Sequence, residues 1–389
     1  MSSLEFSTQS DGIHARNNPI LSVILVLVFI RPFICALAFP FLNLVYSLVL
    51  LVFLGGYLIL KRPVFFKNKA LSYSFILFCL ALYVSIIFSQ DKINSFVYLY
   101  QYVCGLGLFF IAASLSEKER LLTIQTILLA GLAVSFFAIY QYFWGPKHIL
   151  EYLSASNLSP QFVLDYLQRR RAFSPFVTPG ALGGFLAMIL LLALTSKNRF
   201  WFILIVFPVF FLTKSPSVFL SLLLALMIYF SVQGKIKKSR VFALWALFFL
   251  LLVIVFLRFM TQKTYLQPTF SAMMRLSYWR EALILIKAHP FIGMGPGNFN
   301  LENSRFAHNS YLQIWAEMGI FGLFSLIGLI GVIFKSCLRD LKQSLYKRQI
   351  AGLLAASAVF LIHNFLDFTF FLPEVSLIWW LILGLIAGL

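Results

Sequence analysis

One histidine and two groups of basic residues stand out in this chain, because their types and neighbours could perform proton transfer and anion binding. His308 sits in Ala307-His308-Asn309-Ser310-Tyr311, directly ahead of an apolar run, and Asn309 or Ser310 can cap the helix that follows. An imidazole with an ordinary pKa of about 6.5 is neutral enough there to accept a hydroxyl proton, or it can serve as a hydrogen-bonded structural residue. Upstream, Arg169-Arg170-Arg171 precede Ala172-Phe173-Ser174-Pro175. Guanidinium forks match phosphate oxygens, and they equally suit anchoring to lipid headgroups. A third constellation, Ser271 to His289, reads as a helix ended by Pro290. Arg275, Trp279, Ala282, Leu283 and Ile286 share one stripe, with Arg280 and Lys287 on an adjoining flank. Such a helix would lie along a membrane boundary, with Trp279 as an anchor and its basic side chains snorkelling.

Between them, Gly293-Met294-Gly295-Pro296-Gly297 has the spacing of a tight turn rather than of a dinucleotide fingerprint, which needs a preceding strand and a longer glycine interval. Its glycines would let the backbone pass close to the membrane or to a ligand. His363 and Asp367, four residues apart in an apolar stretch, could pair with each other on one helix face. The acids expected outside the membrane, toward its outer face, are Asp91, Glu151, Asp165, Glu281, Glu302, Glu317 and Glu374, and none forms a D-x-D pair or a His/carboxylate cluster. A phosphate-bearing ligand would therefore be neutralised by arginine, with no metal or other cofactor expected. The four cysteines, Cys35, Cys79, Cys104 and Cys337, lie in or at the ends of apolar runs and predict neither a disulfide framework nor a metal site.

The elements that must hold these groups are membrane helices. Of 389 residues, 61% are hydrophobic and only 11% charged, which excludes both a water-soluble globule and a disordered chain. Runs of roughly 20 apolar residues, the length that crosses a bilayer, number about twelve. They fall near 20–39, 41–60, 70–89, 95–115, 121–144, 175–195, 199–213, 216–233, 241–259, 314–334, 349–370 and 373–389. The expected fold is an all-α integral membrane protein, one polytopic domain over 1–389. Met1 to Asn18 is polar and the first apolar run contains Arg31 and Pro32, so no cleavable signal peptide is expected. The formal charge of +18 is read by location. Alternate short connections gather Lys61, Arg62, Lys67 and Lys69, then Lys118 and Arg120, then Lys197 and Arg199, then Lys235 to Arg240, then Lys335 to Arg348. This bias puts both termini in the cytoplasm. The two long connections, 145–174 and 260–313, the second containing helix 271–289, then fall on the outer face. The positive charge points to membrane lipids and anionic lipid substrates, with no nucleic-acid partner.

The order Arg275…Trp279…Pro290…Gly293-x-Gly295…Phe299…His308-Asn309-x-Tyr311…Glu317-x-Gly319 resembles the signature of the O-antigen ligase and polymerase superfamily. Upstream, Arg171-Ala172-Phe173-x-x-Phe176-x-x-Pro179-Gly180 resembles the basic, proline-containing start of a mid-chain span in those proteins. At Thr213-Lys214-Ser215 relatives often carry an arginine after Thr-x-Ser, and here Lys214 would supply the charge. The resemblance implies metal-independent transfer of a glycan from a polyprenyl-diphosphate carrier, on the periplasmic face of a bacterial inner membrane. The acceptor would be lipid A core in a ligase, or a second lipid-linked glycan in a polymerase. It further implies that His308 activates the acceptor hydroxyl and that Arg275 and Arg171, with Arg170, Arg280 and Lys214, hold the diphosphate. Asn309, Tyr311 and Glu317 would orient the acceptor. A transporter or flippase would share the span count and the intramembrane charge at Arg31, His363 and Asp367, but its distinctive residues would be expected near midplane rather than in outer loops. A non-catalytic scaffold in polysaccharide assembly is the remaining reading.

Overall fold

The computed structural model describes residues 19–62, 68–155, 161–234, 242–243, 245–246, 249–250, 253, 268–302, 304–340 and 347–389. Their regular elements are helices, and no strand occurs among the described residues. The helices are α1 Pro19–Ile30, α2 Pro40–Lys61, α3 Lys69–Ile87, α4 Lys92–Ser114, α5 Glu117–Phe143, α6 Gly145–Ala155 and α7 Gln161–Gln168. They continue as α8 Pro179–Ala193, α9 Arg199–Leu212, α10 Pro216–Gln233, α11 Pro268–Ala288, α12 Ser310–Asp340, α13 Lys347–His363 and α14 Pro373–Ala387. Each apolar run expected from the sequence holds a helix, but α1 ends at Ile30 within the run 20–39 and α13 at His363 within 349–370. Of the twelve expected spans, six are long and apolar enough among the described residues to cross a bilayer. The run 241–259 is helical at its described positions, its other residues lying outside the described set, as do Met1–Asn18, Lys67 and the basic connections 235–240 and 341–346.

Local chemistry sets the starts. Asn68 accepts from the Ala70 amide at 3.0 Å ahead of α3, Asp91 from Asn94 at 3.0 Å ahead of α4, and Thr178 from Ala181 at 3.0 Å ahead of α8. Proline occupies the first turn of α2, α8, α10 and α14, where its missing N–H costs nothing.

The packing is that of a membrane protein. Six helices, α2, α3, α4, α5, α10 and α12, are long and apolar enough to cross a bilayer, and α1, α8, α9 and α14 are shorter apolar helices. Large apolar side chains such as Phe41, Val52 and Ile93 point outward, while Arg31, His363 and Glu374 are buried. In water that inversion would be prohibitively costly; facing lipid it is the stable arrangement. At the centre stand α8 and α14, covered nearly along their whole length. Helix α14 packs on α4, α13 lies between α8 and α10, and α3 runs along α12.

Candidate functional site

Helix α11 covers the start of α12. Its face is anchored by Ala282 and Ile286, which are buried with Phe299, Leu301, Ala307 and Ala316 in a small core separate from the main one. The expected stripe is thus present in part. Leu283 is 42% exposed and Leu285 packs in its place. Arg275 and Trp279, one turn apart and partly buried, extend the face toward the His308 loop, whereas Arg280 and Lys287 are exposed.

Below α11 the chain turns through the glycine loop, whose glycines pack against Glu317, Ser89 and Tyr98. Gly319, at φ 68° and ψ −178°, breaks the helical path of α12. The break opens carbonyls to the loop: Met294 N donates to Ala316 O at 2.9 Å and Gly295 N to Glu317 O at 2.8 Å, while Ile320 N donates to Pro290 O at 2.9 Å. A side chain on Gly293 or Gly319 would overlap the facing backbone, so both are glycine for close approach as well as for positive φ. The side chain of Glu317 accepts from Gln313 Nε2 at 3.0 Å, and the Tyr311 hydroxyl donates to Leu361 O at 2.8 Å. Asn309 caps α12, accepting from the Tyr311 and Leu312 amides at 3.0 and 3.1 Å. Ser310, the other capping candidate, instead donates to Asn364 Oδ1 at 2.6 Å.

His308 is held immediately before that cap with φ 51°, a left-handed backbone that carries a penalty for a side chain of this kind. Its ring stacks on Tyr278 of α11 at 5.6 Å between centroids and meets the edge of Phe368 at 4.7 Å. Burial pushes its pKa down to about 4; Asp367 opposes the shift and Arg275 adds to it. The imidazole is therefore neutral at pH 7. Asp367 sits beside it in the turn between α13 and α14, accepting from Phe368 N at 2.8 Å and pairing with His363 Nε2 at 3.1 Å. Burial alone would raise the Asp367 carboxyl, but His363, followed by His308 and Arg275, holds it below its ordinary value. Helix α8 passes so close that a Cβ on Gly180 would overlap this carboxylate.

The third side is the Arg169–Arg171 turn. Arg171 donates from Nε to Thr213 O at 2.9 Å, its guanidinium lies 5.5 Å from the Tyr166 ring centroid, and the next amide, Ala172 N, donates to Leu212 O at 2.9 Å. Burial lowers the Arg171 pKa, and Arg275 is among the charges acting on it. Lys214 donates from Nζ to Arg169 O at 3.0 Å, and Arg169 pairs with Asp165 at 2.7 Å. Arg170 is exposed.

Arg275 thus lies within electrostatic reach of both His308 and Arg171, and Asp367 within reach of His308, Arg275 and Tyr166. Asn309, Tyr311, Glu317 and Lys214 are engaged in bonds to the protein itself, and Arg280 and Arg170 stand at exposed positions. Sequence reasoning saw Asp367 only as a partner of His363. The pairing is present, and the same carboxylate also faces His308 and Arg275; an acid in an apolar stretch was the available signal. Tyr278, one residue before Trp279, carried no signal of its own.

Three polar atoms of this cluster are buried without a hydrogen-bond partner: Arg275 Nε, Trp279 Nε1 and His308 Nδ1. Such atoms also occur elsewhere in the bundle, at Arg31, Asn43 and Glu374 among others; here they gather on two facing segments beside a histidine.

Residues 201–327 match the family model described as O-antigen ligase. No curated protein matches the chain. The matched stretch, about a third of the chain, holds Lys214, Arg275, the glycine loop, His308 and Glu317, and is similar to the O-antigen ligase family.

Proposed function

We propose that the chain transfers a glycan from a polyprenyl-diphosphate carrier to an acceptor hydroxyl, with lipid A core as the acceptor. The superfamily implies a glycosyltransferase-type enzyme working on lipid-linked glycans. The observation that carries the finer reading is the trio of unpartnered buried atoms on Arg275, Trp279 and His308, two facing segments that together present donors and a neutral base. The acceptor oxygen attacks the anomeric carbon, its proton passes to the His308 imidazole, and the bond from that carbon to the diphosphate oxygen breaks. The polyprenyl diphosphate leaves with the electron pair. Arg275 and Arg171 stabilise the charge that develops, as preorganised donors do in a site shielded from water. Arg170, Arg280 and Lys214 lie further out and add positive potential rather than direct contact. Asn309 and Tyr311 fix the start of α12 and thereby aim His308; Glu317 fixes the glycine loop. In this reading the site faces the periplasm, both termini are cytoplasmic, and the chain resides in the bacterial inner membrane.

A bound diphosphate also tunes the base. Its negative charge offsets Arg275, one of the groups that lower the His308 pKa, so the imidazole becomes a stronger base when the donor is present.

The deciding experiment uses purified full-length protein, lipid-linked glycan and lipid A core, with the product resolved by gel shift and mass spectrometry. Lipid A core bearing glycan is expected. A lengthened polyprenol-linked chain would assign polymerisation instead. Turnover is expected to persist in EDTA, and a strict requirement for added magnesium would overturn the arginine account.

A further inference from the structure

A groove of about 490 Å³ opens at the corner between α3 and α4, beside the loop that carries His308. Its lining includes Gln90, Asp91, Asn94, Asn298, Asn300 and Arg305, the last only three residues before His308. In a chain that is 61% hydrophobic, this concentration of carboxamides with one acid and one guanidinium is chemically distinct from every surface around it.

The floor is rigid. Asn94 Nδ2 donates to Gly297 O at 2.7 Å and to Asn298 Oδ1 at 2.8 Å, Asn298 Nδ2 donates to Met294 O at 2.8 Å, and Asp91 Oδ1 accepts from Asn94 N at 3.0 Å. Arg305 is fixed by a hydrogen bond to the Tyr98 hydroxyl and lies 5.9 Å from the Tyr98 ring centroid. These bonds consume the Asn94 and Asn298 amide nitrogens. They leave the Asn94 carbonyl oxygen, the Asn300 amide, the second Asp91 oxygen and the other Arg305 N–H groups for a ligand.

The chemistry of that set selects the occupant. A lipid tail would leave the carboxamides without partners, at a cost for each one covered. A bare phosphate would be repelled by Asp91. Vicinal hydroxyls, each both donor and acceptor, match a lining that alternates donors and acceptors. The volume lies within the range of small-molecule sites, which runs from about 300 to 1,000 Å³. We propose that this groove binds sugar residues of the glycan substrate and so holds the glycan while its diphosphate or its acceptor hydroxyl reaches Arg275 and His308. The proposal rests on the transferase reading above and extends it to a substrate class at residues that reading does not use.

Asn300 is exposed, so Asn300→Cys in the full-length protein can be labelled by a membrane-impermeant maleimide, with wild type giving the background from the native cysteines. Three probes are compared: polyprenyl-diphosphate-linked oligosaccharide, polyprenyl diphosphate without sugar, and lipid A core. Labelling is expected to slow about fivefold or more with a sugar-bearing probe and not with the sugar-free carrier; the mass-action dependence on probe concentration should hold. Protection by the first probe assigns the donor glycan, and protection by the third assigns the acceptor. Equal protection by the sugar-free carrier, or protection by none, overturns the proposal. Alongside, Gln90→Ala and Arg305→Ala should raise KM for the protecting substrate about tenfold, with kcat changed less than about twofold. A fall in kcat at unchanged KM would speak against a binding groove. Wild-type transfer is measured in the same preparations. Its absence together with sugar-dependent protection would sink the transferase reading and leave the groove, whereas transfer without protection would do the reverse.

Discussion

The paired ends of the 290–320 segment and its middle, at His308, use polar groups in opposite ways. Around Gly293–Pro296 and Ala316–Ile320, freed carbonyls and amides are paired off within the protein: Ala316 O and Glu317 O accept from the glycine loop, and Pro290 O accepts from Ile320 N and from Trp315 Nε1 at 3.0 Å. Around His308, a few residues earlier in sequence, the imidazole Nδ1 and the facing Arg275 Nε and Trp279 Nε1 have no partner. Both regions use a positive φ, which Gly319 adopts freely and which costs His308 strain. The difference teaches how residues of one motif divide their work: the glycines and Glu317 build the platform, and the groups left unsatisfied on it are those that can meet a substrate.

The largest expected effect tests the unsatisfied middle. His308→Ala should lower glycan transfer by about 10²- to 10⁴-fold, the usual contribution of a general base, while thermal stability in detergent stays close to wild type. Equal losses of activity and folded protein would erase the contrast between the two regions. Next comes Arg275→Lys, which keeps the charge but loses the planar fork; kcat/KM should fall by about 10- to 100-fold, measured at saturating acceptor. The converse test is Gly319→Ala, whose Cβ would meet the Phe291 carbonyl. We expect destabilisation of about 1–3 kcal/mol, read as a lower unfolding midpoint, with the surviving folded fraction retaining its turnover per molecule.

A pH profile sharpens the comparison further. Because His308 titrates at about 4 when free, it is deprotonated and competent above that value, and kcat/KM should lose its acid limb only as pH falls through about 4. The kcat profile reports the donor complex, in which the diphosphate offsets Arg275, so its acid limb should lie higher. Coincident limbs would show that bound substrate leaves His308 unaffected. The smallest expected effect is that of Arg280→Ala. Its exposed guanidinium contributes long-range potential only, so carrier affinity should drop less than about threefold and the loss should vanish at high salt.

Much of the frame was legible from the chain alone. Apolar runs bounded by proline and capping residues marked where helices lie, because in lipid every backbone group must be satisfied along its own helix, although the helices in 20–39 and 349–370 stop well short of the apolar run's end. The helix from residue 268 to 288 and the position of His308 ahead of a capped span were legible for the same local reason. The individual roles were less so. Leu283 turned outward because Leu285 fitted the small core better, a packing choice that periodicity does not encode. Tyr311 and Lys214 found partners far away in sequence, at Leu361 and Arg169.

By itself the sequence determined the membrane class, the helices and the chemical types available at each position, because hydropathy, caps and side-chain chemistry act over a turn or two of chain. Only the tertiary structure decided which charges share a site. Asp367 and Arg171 come from segments far from His308 in the chain, and the burial that keeps that imidazole neutral is created by Tyr278 and Phe368 closing over it from two other elements. Desolvation and Coulomb interaction depend on distance through space, and that distance is set by how the helices pack.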